Sequence, residues 1–411
     1  MTVRVTGLGA LSPLGVGMAD NWDALLRGTV GITRITAFDP LEFRVHIAGE
    51  VVPFDAAEVL PPQDARRLDS YAQFGVVAGI QAVEDSGLDL AAVDPTRFSI
   101  VVGTGYGCTA ANTEAVRLLD RSGPARFTPA PAVYGAQDIV AAYLSLRWGA
   151  LGESLCLSAA CASGTVAIGQ AMRQIEWGLA DVVVVIGADG AVTPRDLAVV
   201  CGSRALTATH NDDPKSACRP FDRDRDGFVL SAGAGALVLE SAEHAARRGA
   251  SVRASLVGYG AASDAHHLTA PHPEGRGAVT AMRRALASAG LEPGAVDHVN
   301  AHGTGTPKND EVEAHALRTV FGDHVGAVAV TSTKSMTGHM IGAAGTYEAA
   351  ATVLACAEGR VPPTMSCPDP EFDFLDVVRD EARATPVTYA LTNSFGFGGH
   401  CATVVVGPPD A

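Results

Sequence analysis

Positive charge is scarce in this chain. Lys and Arg number 30 against 45 Asp and Glu, a net charge of -15 over 411 residues. Nucleic-acid binders are more often basic, so that class is discounted. An acidic partner would need a local basic patch. Long apolar runs are missing as well: none is long enough to span a bilayer. The start, Met1-Thr2-Val3-Arg4-Val5, moves straight into a strand-like run and shows no secretion signal. The eight cysteines (108, 156, 161, 201, 218, 356, 367 and 401) include no CxxC pair, so no zinc site is expected. Free thiols in a reducing cytoplasm are expected instead. No low-complexity linker separates the chain into parts. What is present is 47% hydrophobic residues, enough for a large core. The length predicts two or three domain-sized units. The 45 glycines predict tight turns and closely packed helices.

The stretch Ser158-Ala159-Ala160-Cys161-Ala162-Ser163-Gly164 organises the rest. Ser154 to Leu157 before it reads as a short buried strand. Thr165 to Trp177 after it has helical spacing at Val166, Met172 and Ile175, with Gly178 placed to stop it. Cys161 therefore sits at a strand-to-helix turn among small residues. A thiol at a helix N-terminus feels the positive end of the helix dipole, which favours the thiolate nucleophile. The other reading of the same stretch is a small buried hydrophobe among alanines.

Val3 to Gly9 predicts a strand entering a glycine turn. The dinucleotide pattern fails at position 12, which is Ser. Tyr71 to Asp85 predicts a helix closed by Gly87. Phe98 to Val102 predicts a buried strand running into Gly103-Thr104-Gly105-Tyr106-Gly107, a loop without the Lys-Ser/Thr of a phosphate loop. Asp181 to Gly187 is a β-branched run of the kind found in parallel strands covered on both faces. Asp222 to Gly227 imitates a calcium loop, but its twelfth position is Gly233 rather than Glu. A tight turn before a strand at Phe228 to Leu230 is the expectation there. Ala234 to Glu240, Val296 to Asn300, Val328 to Ser332 and Ala402 to Val406 read as further strands. Gly342 to Gly359 reads as a small-residue helix carrying one acid, Glu348. Gly345-Thr346 and Gly359 stand at the separation of Gly164-Thr165 and Gly178, which points to an internal duplication. Alternating strands and helices predict an α/β fold with helices on both sheet faces.

Cys161, His302 and His339 all fall in small-residue loops after strands, where α/β sheets place their ligand sites. A Cys with a His is a nucleophile-plus-base arrangement. Two histidines can also donate to a developing oxyanion. Lys334 and Glu348 are placed to pair and set the local charge. Each histidine alone reads more readily as a satisfied structural residue, but all three groups in matching settings are harder to dismiss.

Cys161 in SAACASG, His302 in NAHGTGTP, Lys334 and His339 in TSTKSMTGH, and Phe397 in NSFGFGGH resemble the elongating beta-ketoacyl-acyl-carrier-protein synthases. These are the condensing enzymes of fatty-acid and type II polyketide synthesis. The likeness runs from VTGLGALSPLG to the last strand. It implies the thiolase fold, two duplicated α/β halves in five αβαβα layers. Residues 1–250 would form the half with the nucleophile and 251–411 the half with both histidines. It implies that Cys161 takes an acyl group from phosphopantetheine on an acyl-carrier protein. His302 and His339 would promote decarboxylation of the malonyl thioester, with Lys334 and Glu348 holding their environment. The N–H groups of Cys161 and Phe397 would form an oxyanion hole, and Phe397 would gate the site. Tyr106 would line the acyl pocket, and Arg66, Arg67 and Arg204 would dock the carrier. No metal or nucleotide cofactor is implied, and a homodimer or a heterodimer with a chain-length-factor-like subunit is. The sequence departs from the family at His400-Cys401, at Asn309 and in Ser231-Ala232-Gly233-Ala234-Gly235, which points to a polyketide pathway. A chain-length factor would lack Cys161. A degradative thiolase uses a second Cys as base, and Cys401 lies near the right end of the chain. The two histidine motifs favour decarboxylative condensation.

Overall fold

The computed structural model describes residues 3–411. Its first strand, β1 (Val3–Ser12), runs straight through Gly7 and Gly9, which form no turn. The reason is packing. A Cβ at Gly7 would lie 2.1 Å from the Ala82 carbonyl oxygen, and one at Gly9 the same distance from that of Ala78. Both glycines let helix α1 (Ser70–Ser86) lie on the strand. Asp69 caps α1 by accepting from the Tyr71 N–H, and Gly87 ends it in the left-handed conformation.

Four more strands complete the first half: β2 (Phe98–Gly103), β3 (Ser154–Leu157), β4 (Val182–Asp189) and β5 (Gly233–Ser241). Their order is β1-β5-β4-β2-β3. The second half holds β6 (Ala254–Ser263), β7 (His298–Asn300), β8 (Ala329–Thr331), β9 (Ala390–Gly396) and β10 (His400–Gly407). They run β6-β10-β9-β7-β8, with the short strand Asp376–Val377 beyond β8. The two orders are the same pattern. Strand directions match too: β4-β2-β3 and β9-β7-β8 are parallel, whereas β5 and β10 are antiparallel to their neighbours. The halves join where β1 pairs with β6 between Val3↔Leu256 and Val5↔Ala254.

Helix α2 (Ile139–Trp148) lies with α1 outside the first half. Helix α4 (Arg276–Ala289), with α5 (Pro307–Phe321), covers the second. Between the halves lie α3 (Ser163–Glu176) and α6 (Ala344–Glu358), which pack on each other. Each contacts strands of both halves, so the layers read helix, sheet, helix, sheet, helix. Helix α6 is buried through three of its four turns and is rich in Ala, which favours helix while keeping the central layer thin. The two central helices meet at the matched Gly-Thr pairs. A Cβ at Gly345 would lie 2.2 Å from Thr165 Oγ1, and one at Gly164 would lie 2.8 Å from the Thr346 nitrogen.

Two further expectations are corrected. β3 is not buried: it is the edge of the sheet, paired only with β2, and its residues are half-buried or exposed. Phe228 to Leu230 forms single bridges, Leu206↔Phe228 and Leu230↔His339, rather than a strand. β4, by contrast, is buried along its whole length, as its β-branched run predicted.

Candidate active site

After β3 the chain turns through Ala160, whose φ of 50° is left-handed for a residue with a Cβ. Such a conformation costs about 1–3 kcal/mol and persists where surrounding bonds over-determine it. Here Ser163 Oγ accepts from the Ala159 N–H at 2.8 Å and reaches the Ala160 carbonyl at 2.6 Å. The turn leaves Cys161 just before α3, with its thiol on the cluster that holds Leu206, Phe228 and Ile341. The end of β9 lies against this turn. A Cβ at Gly396 would stand 3.0 Å from the Cys161 nitrogen. The backbone N–H groups of Phe397 and of Cys161 itself lie near enough to the sulfur to favour its anion. Burial pushes the thiol up to about 12, while Lys334 and these two N–H groups pull against it. Desolvation of the anion thus opposes the helix end and these dipoles, which favour the thiolate.

β7 delivers His302. Its N–H donates to Glu313 Oε1 at 2.8 Å, and that of Gly303 donates to Oε2 at 2.7 Å. Glu313 comes from α5 and is fully buried, which pushes its carboxyl up to about 7 against the pull of these N–H groups. His339 is clipped on both sides of its peptide. Its N–H donates to the Val229 carbonyl at 2.7 Å, and its carbonyl accepts from the Ser231 N–H at 3.0 Å. The two rings stand edge to face with centroids 5.3 Å apart. Phe395 lies 5.7 Å from His302, and Phe228 lies 5.2 Å from His339. Burial first, and then the Lys334 charge, holds both imidazoles well below the ordinary histidine range. They are neutral, so each has one N–H to donate. Among the described residues nothing bonds His302 Nδ1 or either ring nitrogen of His339. Buried polar atoms are seldom left so, and these are free for a ligand.

Lys334 begins a single helical turn after β8, and its Nζ donates to Glu348 Oε1 at 2.5 Å. Both side chains are sealed from solvent. Burial pushes the Glu348 carboxyl up to about 7, with Lys334 opposing. Lys334 is the cation common to Cys161, His302 and His339. The fold thus gathers five of the expected residues from distant parts of the sequence.

The others are placed less closely. Tyr106 packs on the same cluster as Cys161, and burial pushes its hydroxyl up to about 12. Phe397 is exposed, and the next N–H, that of Gly398, donates to the Leu268 carbonyl at 2.7 Å. Arg66 and Arg67 are exposed at the end of the helix Pro62–Arg67, with Arg67 over the Tyr134 ring at 5.8 Å. Arg204 is exposed beside a depression of about 310 Å³ shared with Arg44 and Asp226. The Cys401 thiol reaches back to the Gly399 carbonyl at 3.8 Å. Asp222 to Asp226 is a structural turn: buried Asp222 holds Arg219, and Arg225 pairs with Glu371. No group of three metal-ligating side chains occurs among the described residues.

Three acids escaped the sequence reading. Asp189, Asp310 and Glu313 are wholly buried and hold loop N–H groups, and Asp310 also faces Arg225 at 3.9 Å. The only signal for Asp189 was an acid closing an otherwise apolar strand.

Fold and site together define the class: this is a thiolase-fold acyltransferase that forms carbon–carbon bonds. Within it the chain belongs to the beta-ketoacyl synthase family. The N-terminal domain of that family matches residues 1–245 and the C-terminal domain matches 253–368. A 3-oxoacyl-[acyl-carrier-protein] synthase 2 of Synechocystis is 43% identical over 98% of this chain and 97% of its own. The enzyme of the same name from Staphylococcus aureus is 42% identical with the same coverage. Among solved structures, an ishigamide ketosynthase/chain length factor aligns with a TM-score of 0.91 at 32% identity over 99% of both chains. A complex of a type II PKS acyl-carrier protein with its ketosynthase, bound to the hexaketide, aligns with a TM-score of 0.92 at 29% identity, again over 99% of both chains.

Proposed function

We propose that the protein condenses a malonyl group, held on an acyl-carrier protein, with an acyl group held on Cys161, giving a 3-oxoacyl-carrier protein and carbon dioxide. The observation that carries this is the pair of neutral, buried imidazoles with unspent ring nitrogens beside a cysteine flanked by two backbone N–H groups. In the first half-reaction the Cys161 sulfur attacks the acyl thioester carbonyl. The new C–S bond replaces the old one, and the thiol proton leaves with the carrier's sulfur. The N–H groups of Cys161 and Phe397 hold the oxyanion of that step. Malonyl thioester then enters. Loss of carbon dioxide leaves an electron pair that spreads onto the thioester oxygen, where His302 and His339 donate. Neutral donors suit this, since an imidazolium would hand over its proton and quench the carbanion. The carbanion attacks acyl-Cys161, the C–S bond breaks, and the sulfur regains a proton from water.

Lys334 and Glu348 hold the field around the histidines. Phe397, exposed beside the nucleophile turn, is the gate, and Tyr106 bounds the acyl pocket. The substrates ride on the carrier's phosphopantetheine, so no resident cofactor enters these steps. Arg66, Arg67 and Arg204 form the docking surface. The division at residues 1–250 and 251–411 separates nucleophile from histidines. A second ketosynthase-like chain, identical or of the chain-length-factor kind, is the partner at β3. That strand is an unpaired edge, and Leu146 and Leu151 beside it are 86% and 69% exposed. The working place is the cytoplasm, in fatty-acid or type II polyketide synthesis. Incubation with acyl- and malonyl-carrier proteins tests the reading. Carbon dioxide release with a 3-oxoacyl product is expected; carbon dioxide and product both absent would refute it.

A further inference from the structure

Asp189 closes β4 at the centre of the molecule, wholly buried, and the chemistry above gives it no task. Its Oδ1 accepts from Thr104 Oγ1 and the Tyr106 N–H, each at 2.9 Å, and from the Gly107 N–H at 3.3 Å. Its Oδ2 accepts from the Gly105 N–H at 2.9 Å and the Gly342 N–H at 2.7 Å. The donors are four backbone groups and a hydroxyl, none of them a cation.

They come from two places. Thr104 to Gly107 is the loop after β2 that carries Tyr106. Gly342 belongs to the turn between His339 and α6. That turn is strained: Ile341 is β-branched yet has a φ of 51°. The two segments touch where only glycine fits. A Cβ at Gly342 would stand 2.7 Å from Asp189 Oδ2 and 2.5 Å from the Gly105 nitrogen, and one at Gly105 would stand 2.5 Å from Ile341 Cγ2. Strain of this kind costs about 1–3 kcal/mol and is held only by strong local bonds. The carboxylate supplies them on both sides.

We propose that Asp189 is a positioning residue that clamps the Tyr106 loop to the His339 segment, fixing how the acyl pocket sits against the histidines. Its consequence for turnover rests on the condensation reading. The clamp also has an electrical side. Burial is the main cause that raises Cys161, Tyr106, Tyr71 and Cys156, and the Asp189 charge adds a smaller push in the same direction.

Two full-length variants test this. Asp189→Asn removes the charge and turns an amide N–H₂ toward backbone donors. Acyl transfer to Cys161 should fall about a hundredfold, the scale of a small misplacement at a reacting centre. The fall should lie in kcat rather than KM. The midpoint of Cys161 alkylation by iodoacetamide, read by peptide mass spectrometry, should move to lower pH. Thr104→Val keeps the charge and loses one donor, so it should slow acyl transfer less and leave the midpoint in place. A folded Asp189→Asn protein with wild-type transfer, or with an unmoved midpoint, overturns the proposal. If Asp189→Asn does not fold, Thr104→Val decides: a wild-type rate overturns the clamp and a reduced one supports it. Alkylation needs no carrier protein. Wild-type enzyme that acylates Cys161 but fails to condense would therefore sink the proposed function, while the acyl-transfer rates of the two variants still judge the clamp and the midpoint judges the Asp189 charge.

Discussion

Removing the Cys161 sulfur should separate the two half-reactions. Cys161→Ala is expected to lose acyl transfer and product while still releasing carbon dioxide from malonyl-carrier protein, because the imidazoles come from the other half of the fold. An acyl adduct found by mass spectrometry on a different cysteine would refute the assignment. For the imidazoles, His302→Ala and His339→Ala should each keep acylation and lose condensation by about a hundred- to a thousandfold, the usual effect of removing one donor to an oxyanion. Condensation at the wild-type rate in either would end that role. The pH dependence has a definite sign. Burial lowers both histidines, so the proton that would spoil them binds only at acid well below their ordinary range. Malonyl decarboxylation should therefore stay level as pH falls through about 6.5, the unperturbed histidine value. A loss of rate centred there would show the imidazoles to be unshifted. At this scale the sequence told much. The candidate reacting groups stood out as single polar residues in small-residue loops. The protonation state of Cys161 did not, because burial of a sulfur depends on what the other half of the chain places over it.

Between residues and molecule lie the elements, and the central pair of helices is the sharpest case. The Gly-Thr match between α3 and α6 was legible as a repeated spacing, but its reason is contact. Gly345→Ala would push a methyl to 2.2 Å from Thr165 Oγ1. Overpacking of this kind costs about 1–3 kcal/mol. Gly294→Ala meets open space and serves as the control. Thermal melting should show a lowered midpoint for the first and none for the second; equal melting would mean the helices can move apart freely. The Tyr106 loop is a second case. On the proposed reading, the Tyr106 ring occupies volume that an acyl chain would otherwise fill. Tyr106→Ala should shift acylation toward longer chains, and an unchanged chain-length profile in folded protein would place the limit elsewhere. The strands misread from sequence share one cause. β1 keeps going through its glycines because α1 lies on them, and Phe228 to Leu230 is held as single bridges because its partners are His339 and Leu206 rather than a sheet. Neither partner is near in sequence.

For the molecule as a whole, charge sets the problem. On the proposed reading, a chain with a net charge of -15 would meet an acidic acyl-carrier protein through a local basic surface. Reversing Arg66 and Arg67 to Glu should slow turnover of carrier-bound substrate, mainly through association, and spare a small thioester mimic. The difference should shrink at high salt, where surface charges are screened. Equal loss with both substrates would point to misfolding and refute docking there.

The sequence by itself determined the candidate reacting groups, the α/β alternation and the hint of duplication, because each is written in short-range pattern: small residues around a polar atom, period and run length, a repeated Gly-Thr spacing. Only the tertiary structure decided which groups meet. Lys334 finds Glu348 across 14 positions, the Cys161 turn lies under Gly396 from the far end of the chain, and Asp189 holds Gly342 across 153. Those meetings depend on two halves closing over α3 and α6. Closure also removes the water that would otherwise keep a thiol, two imidazoles and the Glu313 and Glu348 carboxyls at their ordinary protonation, so the chemistry of the site is a property of the closed fold.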